Sequence, residues 1–338
     1  MTASAFGTRP IPDTLAAERR RAMLRSAMGP AIGAALADPR VIEIMVNPDG
    51  MLRLDILGEG RVDTGVWIAP DQAERIVRLV ASHARGEVHA ERPIVSAELP
   101  PHGASAGERF EGVLPPVALA PCFAIRKPAT RIHTLADYVA DGIVTGEGAK
   151  RLRDAVLGRC NILVVGGTSS GKTTLANALL AELATIDERV ILIEDTRELQ
   201  SPAADTVALR TRTGFVSIAD LVRSTLRLRP DRIVVGEVRG PEALEMLKAW
   251  NTGHPGGIAT IHANGARAAL HRIESLVQEA VVTVPRPLIG EAIDLIVFIS
   301  GRGLARRISS IVRVDGFDPA SGDYRLTDLL PTQDQNGD

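Results

Sequence analysis

The strongest constraint on this chain of 338 residues is a glycine-rich segment that lies between an apolar run and a helix-forming run. Residues 166–173 read Gly-Gly-Thr-Ser-Ser-Gly-Lys-Thr, which is the spacing of a phosphate-binding loop. The run 161–165 predicts a buried strand before it, and the Ala- and Leu-rich run 173–182 predicts a helix after it. Because such a loop surrounds phosphate oxygens with backbone N–H groups, the segment predicts binding of a nucleoside triphosphate.

Two side chains of this loop have predicted roles of their own. Lys172 is expected to reach the β- and γ-phosphates, and the Thr173 hydroxyl is expected to hold Mg²⁺. The other members are expected to contribute backbone N–H groups. The predicted nucleotide-binding residues are Gly166, Gly167, Thr168, Ser169, Ser170, Gly171, Lys172, Thr173 and Thr174.

The composition is that of a soluble globular protein. Apolar residues make up 45% of the chain and charged residues 24%, and the length is enough for about two domains. The net charge of −2 gives no overall positive field, which argues against a dedicated nucleic-acid-binding protein. A local basic patch on an assembled surface would escape this argument.

The sequence predicts a cytoplasmic location. No apolar stretch approaches the ~20 residues that span a bilayer, and the N-terminal segment lacks the apolar core of a signal peptide. Cys122 and Cys160 fit neither a metal site nor a disulfide framework, as expected in a reducing compartment. Peripheral attachment to a membrane would require a partner or a basic surface such as residues 19–21.

The first part of the chain predicts a small α/β domain followed by a linker. Its signals are amphipathic helices, a hairpin with a Pro- and Gly-containing turn, and short apolar runs in a stretch rich in Pro and Gly. The predicted bounds are helix 13–28, hairpin strands 41–46 and 51–57, helix 71–85, short strands within 90–128, the domain 1–128 and the linker 129–137.

After the linker, strands and helices alternate, which predicts an α/β domain with a parallel sheet and crossover helices. The helix before the fourth strand is expected to begin with a capping box formed by Ser217 and Asp220. The domain is predicted to span 138–330, and the polar residues 331–338 are expected to be a disordered tail. The predicted strands are 161–165, 190–194, 206–210, 232–236, 257–261, 293–299 and one near 307–314.

Two of the predicted strands end in carboxylates. Apolar runs lead into Glu194 and Asp195 and into Gly236 and Glu237. Ligands of open α/β sheets bind at the carboxyl ends of strands, and a triphosphate site needs groups that hold Mg²⁺ and orient water. Gly236 stands where an Asp often binds Mg²⁺, so Glu237 is the predicted water-orienting base.

Glu194 and Asp195 are the predicted metal ligands, and Glu194 is also a candidate catalytic residue. If Glu237 is not the base, one of these two carboxylates is the alternative. A surface turn after a strand is the simpler interpretation of each acidic pair. An unpaired carboxylate at a buried strand end is costly, however, and this favours a functional site.

A histidine is the third element of the predicted site. The segment 253–262 contains Gly-rich residues, a β-like run, and then His262 before an Asn-Gly turn. A neutral imidazole at this position could hydrogen-bond the γ-phosphate or Glu237. Thr260 and His262 lie two residues apart in a strand and therefore point to the same face. The alternative is a structural histidine.

In this order, the four segments resemble those of the secretion and traffic ATPases of type II and type IV secretion systems. The segments are the phosphate loop at 166–173, the acidic segment 194–198, the Gly-Glu pair at 236–237 and the histidine segment 253–262. The chain departs from many members of the family at Ser169, where they carry Gly. It also lacks the four-cysteine insert of the type II branch.

The resemblance implies an ATPase that uses ATP and Mg²⁺, with a RecA-like C-terminal domain and a smaller α/β N-terminal domain. It further implies a homohexamer on the cytoplasmic face of the inner membrane, with inner-membrane components of a secretion or conjugation machine as partners. In this family, arginines of the N-terminal domain reach the phosphates, and the matching positions are Arg109 and Arg126. Each could instead be a solvated arginine.

Four functions are considered at this point, of which a nucleotide-gated scaffold without hydrolysis is disfavoured because both Lys172 and Glu237 are present. The first is an ATP-hydrolysing motor of a conjugative type IV secretion system, without direct binding of nucleic acid. The second, a pilus retraction or tight-adherence ATPase, would share every catalytic residue. The third, a RecA-like motor that translocates DNA, predicts a basic channel with aromatic side chains. The aromatic content of 3% and the negative net charge argue against this third function.

Overall fold

A computed structural model describes residues 15–84, 86–100, 107–128, 132–212 and 214–330. The chain divides between Thr130 and Arg131 into two compact units. Residues 13 and 14 of the first predicted helix, residues 129–131 of the predicted linker and the predicted tail 331–338 lie outside the described residues.

The first unit consists, over its described residues, of a six-stranded antiparallel sheet with two helices packed on one face. Its elements are α1 (Leu15–Ala37), β1 (Val41–Val46), β2 (Met51–Ile56), β3 (Gly60–Trp67), α2 (Pro70–His83), β4 (Ile94–Glu98), β5 (Arg109–Val113) and β6 (Cys122–Arg126). The strand order is β3-β2-β1-β6-β5-β4.

The alternation of apolar and polar residues in these strands builds the core of the first unit. Ile44, Phe110 and Ile125 point inward and are fully buried. Ile76 and Val80, one turn apart on α2, pack into the same cluster. The opposite face of the sheet therefore carries the polar residues of β5 and β6.

The predicted hairpin is confirmed by β1 and β2, which pair antiparallel around a turn that includes Gly50 in a left-handed conformation (φ +79°). The first helical segment ends at a break at Gly29, which agrees with the expected end at residue 28. The second helical segment that follows, with Pro30 in its first turn, was not predicted. Strand β3 was not predicted, because most of its side chains are exposed and show no apolar alternation.

The second unit is an α/β structure built on one eight-stranded sheet over its described residues. Its elements are α3 (Leu135–Ala140), α4 (Gly146–Leu157), β7 (Ile162–Gly166), α5 (Lys172–Ala181), β8 (Arg189–Glu194), β9 (Asp205–Arg210), α6 (Ile218–Thr225), β10 (Arg232–Val235), α7 (Glu242–Asn251), β11 (Ile258–Ile261), α8 (Ala266–Gln278), α9 (Arg286–Ala292), β12 (Leu295–Ser300), β13 (Arg307–Asp318) and β14 (Asp323–Asp328). The strand order is β14-β13-β12-β7-β11-β10-β8-β9.

The six strands from β12 to β9 are parallel, which confirms the predicted α/β fold. Helices cover both faces, α7 and α8 on one and α4 and α5 on the other. The strand predicted near 307–314 does not extend the parallel sheet, because β13 pairs antiparallel with β12 and with the unpredicted β14. The carboxyl ends of the parallel strands lie along one edge, where the predicted phosphate loop begins.

Capping boxes fix where two helices of the second unit begin. Ser217 and Asp220 form the predicted capping box at the start of α6. Thr134 and Asp137 form a second one at α3, which begins inside the segment predicted as a linker. Among the helices in the described ranges, none combines the length and apolar character that crossing a membrane requires.

Gly257 lies directly before β11 against the buried indole of Trp250. A Cβ atom at residue 257 would lie 2.0 Å from Trp250 Nε1, the atom that donates a hydrogen bond to the Ile233 carbonyl at 3.1 Å. We therefore expect Gly257→Ala to lower the free energy of unfolding by about 1–3 kcal/mol, as overpacked cores do. Urea unfolding followed by circular dichroism measures this change.

Gly146→Ala is the matched control, because no atom lies within 4 Å of a Cβ built at that position in the first turn of α4. This control should be neutral or stabilising, since alanine favours a helix over glycine. Equal unfolding free energies for the two variants would contradict the proposed clash with Trp250.

Candidate functional site

The predicted phosphate loop joins the end of β7 to the start of α5 in a tight turn. Ser169 (φ +61°) and Gly171 (φ +96°) both adopt left-handed backbone conformations. Serine therefore occupies a position whose backbone favours glycine. A Cβ atom at Gly166 would lie 2.5 Å from both the Ile299 carbonyl oxygen and Ser170 Oγ, so a side chain at this position would force the loop to move.

Side chains inside the loop hold its shape. Ser170, only 3% exposed, donates a hydrogen bond from Oγ to the Gly167 carbonyl at 2.9 Å. Lys172 Nζ donates to the same carbonyl at 3.0 Å. Residues 167–169 at the tip are exposed, and Thr173 and Thr174 in the first turn of α5 are half-buried. The loop thus presents its backbone to solvent at the N-terminus of α5.

Three of the predicted catalytic residues, Lys172, His262 and Glu237, lie in contact and form what we name the catalytic row. Lys172 Nζ lies 3.3 Å from each ring nitrogen of His262. His262 Nε2 lies 2.8 Å from Glu237 Oε1. The three residues follow β7, β11 and β10, which are neighbours in the sheet.

A neutral imidazole fits between the other two members of the catalytic row. An ammonium only donates hydrogen bonds and a carboxylate only accepts them, so one ring nitrogen of His262 must accept and the other must donate. Partial burial and the charge of Lys172 hold the pKa of His262 below its ordinary value of 6.5, although Glu237 opposes them. The lowered pKa favours the uncharged form of His262.

Arg239 is a neighbour of this row that the sequence reasoning missed. Its Nη2 pairs with Glu237 Oε2, and this hydrogen bond raises the pKa of Arg239, while Asp195 and Glu198 act on it at longer range. The turn that presents Arg239 is fixed by Glu242, which accepts hydrogen bonds from the backbone N–H groups of residues 239 and 240. The Arg-Gly-Pro-Glu run after Glu237 was the available sequence signal.

The buried carboxylate of Glu194 explains the glycine at position 236. A Cβ atom at Gly236 would lie 3.0 Å from Glu194 Cγ, so the Glu194 side chain fills the space that a side chain at 236 would need. Glu194 Oε1 accepts hydrogen bonds from the backbone N–H groups of Glu198 at 2.9 Å and Leu199 at 2.8 Å. Glu194 therefore also shapes the acidic segment.

The residues predicted to hold Mg²⁺ fit an ion that binds together with a nucleotide. Among the described residues, no group of three or more His, Cys, Asp or Glu side chains could hold a metal by itself. Mg²⁺ usually takes one or two carboxylates together with phosphate and water. Thr173 on α5 and Glu194 and Asp195 at the end of β8 supply that kind of donor set. Asp195 is exposed and accepts a hydrogen bond from Thr211 Oγ1 at 2.9 Å.

The histidine segment 253–262 divides between the two ends of β11. Its first half lies at the amino end, where His254 Nδ1 is 3.0 Å from the Pro230 carbonyl and Gly257 N–H bonds Asn161 Oδ1 at 3.0 Å. Its second half lies at the carboxyl end, where Thr260 Oγ1 donates to the Gly236 carbonyl at 2.7 Å. Only His262 of this segment belongs to the catalytic row.

The two predicted arginines belong to the first unit. Arg109 on β5 and Arg126 on β6 are directly opposite each other and therefore share one face of the sheet. Glu98 is opposite Arg109 on the far side, and Glu43 is opposite Arg126. We name these four residues the charged ladder. Arg126 is exposed and Arg109 half-buried.

A parallel sheet with a phosphate loop after β7 and a carboxylate after β10 defines the class of P-loop α/β proteins. The family described as "Type II/IV secretion system protein" matches residues 71–314. The chain belongs to this family.

Individual relatives agree with this assignment. The chain is 47% identical over 296 residues to the conjugal transfer protein TrbB of Rhizobium radiobacter, covering 87% of this chain and 90% of that protein. It is 35% identical over 316 residues to the type IV secretion system protein PtlH homolog of Bordetella bronchiseptica, with coverages of 82% and 91%. A crystal structure of the pilus retraction motor PilT with bound ADP is 21% identical with a TM-score of 0.59, covering 90% of this chain and 83% of that chain, which supports the fold alone.

The protonation state of His262 gives a direct test of the catalytic row. In NMR titrations of the labelled histidines, the pKa of His262 should lie below 6.5 in the wild type. It should rise in Lys172→Met, which keeps an apolar stem beside the ring but removes the positive charge. It should fall further in Glu237→Gln, which removes the opposing negative charge.

The resonance of His262 is assigned by its loss in His262→Asn, because the chain has seven histidines. A wild-type pKa of 6.5 or above, or one unchanged by Lys172→Met, would contradict the contact between the ammonium and the ring.

Proposed function

We propose that this protein hydrolyses ATP in the presence of Mg²⁺ and uses the reaction to drive assembly or substrate transfer in a conjugative type IV secretion system. The proposal is carried by the catalytic row, which joins a phosphate-loop lysine to a carboxylate through one imidazole. The conjugal transfer and type IV secretion relatives supply the biological context.

The chemistry of the row assigns one role to each residue. Lys172 offsets the negative charge that develops on the β- and γ-phosphates. Glu237 orients the attacking water and accepts its proton, and His262 positions that carboxylate through the close approach of Nε2 to Oε1 at 2.8 Å. Mg²⁺, when bound, neutralises phosphate charge, and Thr173 with the carboxylates after β8 would hold it.

The charged ladder of the first unit supports a second set of phosphate contacts. Like charges directly opposite each other destabilise a sheet, and Arg109 and Arg126 are such a pair. Glu98 and Glu43 offset this repulsion only from the outer sides. A phosphate group bound between the two guanidinium groups would reduce the repulsion between Arg109 and Arg126. We propose that the pair binds the phosphates of ATP in this way.

The assembled form that we propose is a homohexamer on the cytoplasmic face of the inner membrane, in contact with membrane components of the secretion machine. A pilus retraction ATPase remains the second candidate, and the PilT structure supports it only at the level of the fold. The DNA-translocating motor is the third candidate and differs from the others in predicting that DNA stimulates turnover.

Replacing the proposed base tests the catalytic assignment. Glu237→Gln should bind ATP as the wild type does but lose turnover by about 10²–10⁴-fold, the usual contribution of a general base. Lys172→Ala should weaken ATP binding itself, because it removes the charge that contacts the phosphates. Steady-state phosphate release and equilibrium binding of an ATP analogue measure the two effects separately.

Persisting turnover in Glu237→Gln would assign the role of base to Glu194 or Asp195 instead.

The same assay repeated with single-stranded DNA separates the candidate functions. Turnover that does not respond to DNA supports the proposed function, and stimulation by DNA supports the translocating motor.

Removing a cation of the charged ladder tests the contribution of the first unit. Arg126→Ala should lower turnover by roughly 10-fold or more, because an arginine that stabilises the transition state contributes at least that much. Arg61→Ala is the matched control, since Arg61 is an exposed arginine on β3 of the same sheet. Turnover equal to that of the control would remove Arg126 from the site.

A further inference from the structure

The connection between β12 and β13 lies beside the phosphate loop. Parallel pairing of β12 with β7 places Ile299 opposite Gly166, so residues 301–306 leave the sheet at the edge where the loop begins. A short 3₁₀ turn spans Gly303–Ala305, and Arg306 N–H bonds the Gly303 carbonyl at 3.3 Å. A Cβ atom at Gly301 would lie 2.0 Å from the Ala305 carbonyl oxygen, so this tight connection requires glycine.

The connection between β12 and β13 places the guanidinium of Arg306 against the phosphate loop. A Cβ atom at Gly171 would lie 2.9 Å from Arg306 Nε and 3.0 Å from Cζ, so the guanidinium packs directly against this glycine. Gly171 is the residue immediately before α5. The arginine therefore lies at the positive end of the α5 dipole, where a cation gains nothing from the helix.

Among the residues that the structure describes, Arg306 has no partner that explains this position. Within the described residues it makes no ion pair, and its buried Nε makes no hydrogen bond. Its charge acts on the buried hydroxyl of Tyr138, which also lacks a hydrogen-bond partner among those residues. A polar group withdrawn from water without a partner is costly, so a ligand that accepts hydrogen bonds is expected beside it.

The strand order indicates which part of a bound nucleotide would lie beside Arg306. The catalytic row lies on the β11 and β10 side of β7, and it defines the γ-phosphate end of the site. Arg306 comes from the β12 side, which is the opposite side of β7. A nucleotide bound along the loop with its γ-phosphate at the catalytic row would extend its other end towards Arg306.

We propose that Arg306 binds the α-phosphate and nucleoside end of the nucleotide. This inference rests on the proposed function, because it assumes that the loop binds ATP. A guanidinium can pair with phosphate oxygens through two N–H groups. Since ATP and ADP share this end, Arg306 contributes equally to the binding of both, and it acts on affinity rather than on the chemical step.

Arg306→Ala measures this contribution. The KM for ATP and the Kd for ADP should both rise roughly 10-fold, a factor that corresponds to about 1.4 kcal/mol, and kcat should stay within about twofold. Arg307→Ala is the matched control, because Arg307 is the next residue and is exposed on β13. It should leave both constants unchanged. Arg306→Lys keeps the charge without the planar fork and should give an intermediate loss.

Inorganic phosphate distinguishes a contact to the α-phosphate and nucleoside end from a change in the loop, because a single phosphate bound beside Lys172 leaves the α-phosphate position empty. Its affinity, measured by competition with a fluorescent ADP analogue, should be the same in the wild type and in Arg306→Ala. Equal losses for inorganic phosphate and ADP would mean that Arg306 only shapes the loop through Gly171, and would overturn the proposal. An ADP affinity unchanged by Arg306→Ala would also overturn it.

The proposed function fails in a different way from this inference. A wild-type protein that neither binds ADP nor hydrolyses ATP would refute the function itself, whereas a functional wild type with an unaffected Arg306→Ala variant refutes only the role of Arg306. Thermal unfolding of each variant shows whether it is folded. If Arg306→Ala unfolds, Arg306→Lys serves in its place, and an ADP affinity equal to that of the wild type then overturns the proposal.

Discussion

Parallel hydrogen bonding between β7, β11 and β10 is the constraint on which the candidate site depends. In this register Ile261 pairs with Val165, so the chain after each strand emerges at the same level of the sheet. Lys172, His262 and Glu237 then meet at distances of 3.3 and 2.8 Å. A slip of one residue would turn the side chains to the opposite face and separate these groups. The buried apolar strands therefore position the chemistry as well as stabilise the fold.

The parallel pairing of β8 with β10 also explains why glycine is found at position 236. Gly236 lacks the carboxylate that often follows such a strand, yet the neighbouring strand β8 fills that space with the Glu194 side chain. A side chain at 236 would crowd the buried Glu194, because a Cβ atom would lie 3.0 Å from Glu194 Cγ and that side chain would have to shift. The carboxylate that lies in this space is therefore that of Glu194 on β8, and not one carried by residue 236 after β10.

How much could be predicted from the sequence depended on whether the signal was local. The loop after β7 and the capping box at Ser217 follow from short segments, and both the strand–loop–helix order and the cap are present in the structure. Strands β3 and β14 were missed because their half-exposed residues carry little apolar pattern. Arg239 and Arg306 were missed because their significance arises only when strands distant in sequence bring them to Glu237 and Gly171.

The balance of charge at the loop indicates that a bound triphosphate needs more positive charge than Lys172 supplies. Lys172 is shared with His262, and Arg239 is committed to Glu237, so neither cation is wholly available to a ligand. A triphosphate carries more negative charge than one shared ammonium can offset, and the carboxylates of the acidic segment add to the excess. Binding of a triphosphate therefore requires further positive charge, which Mg²⁺ and additional arginines are proposed to supply. Hydrolysis removes phosphate charge and so lowers that requirement.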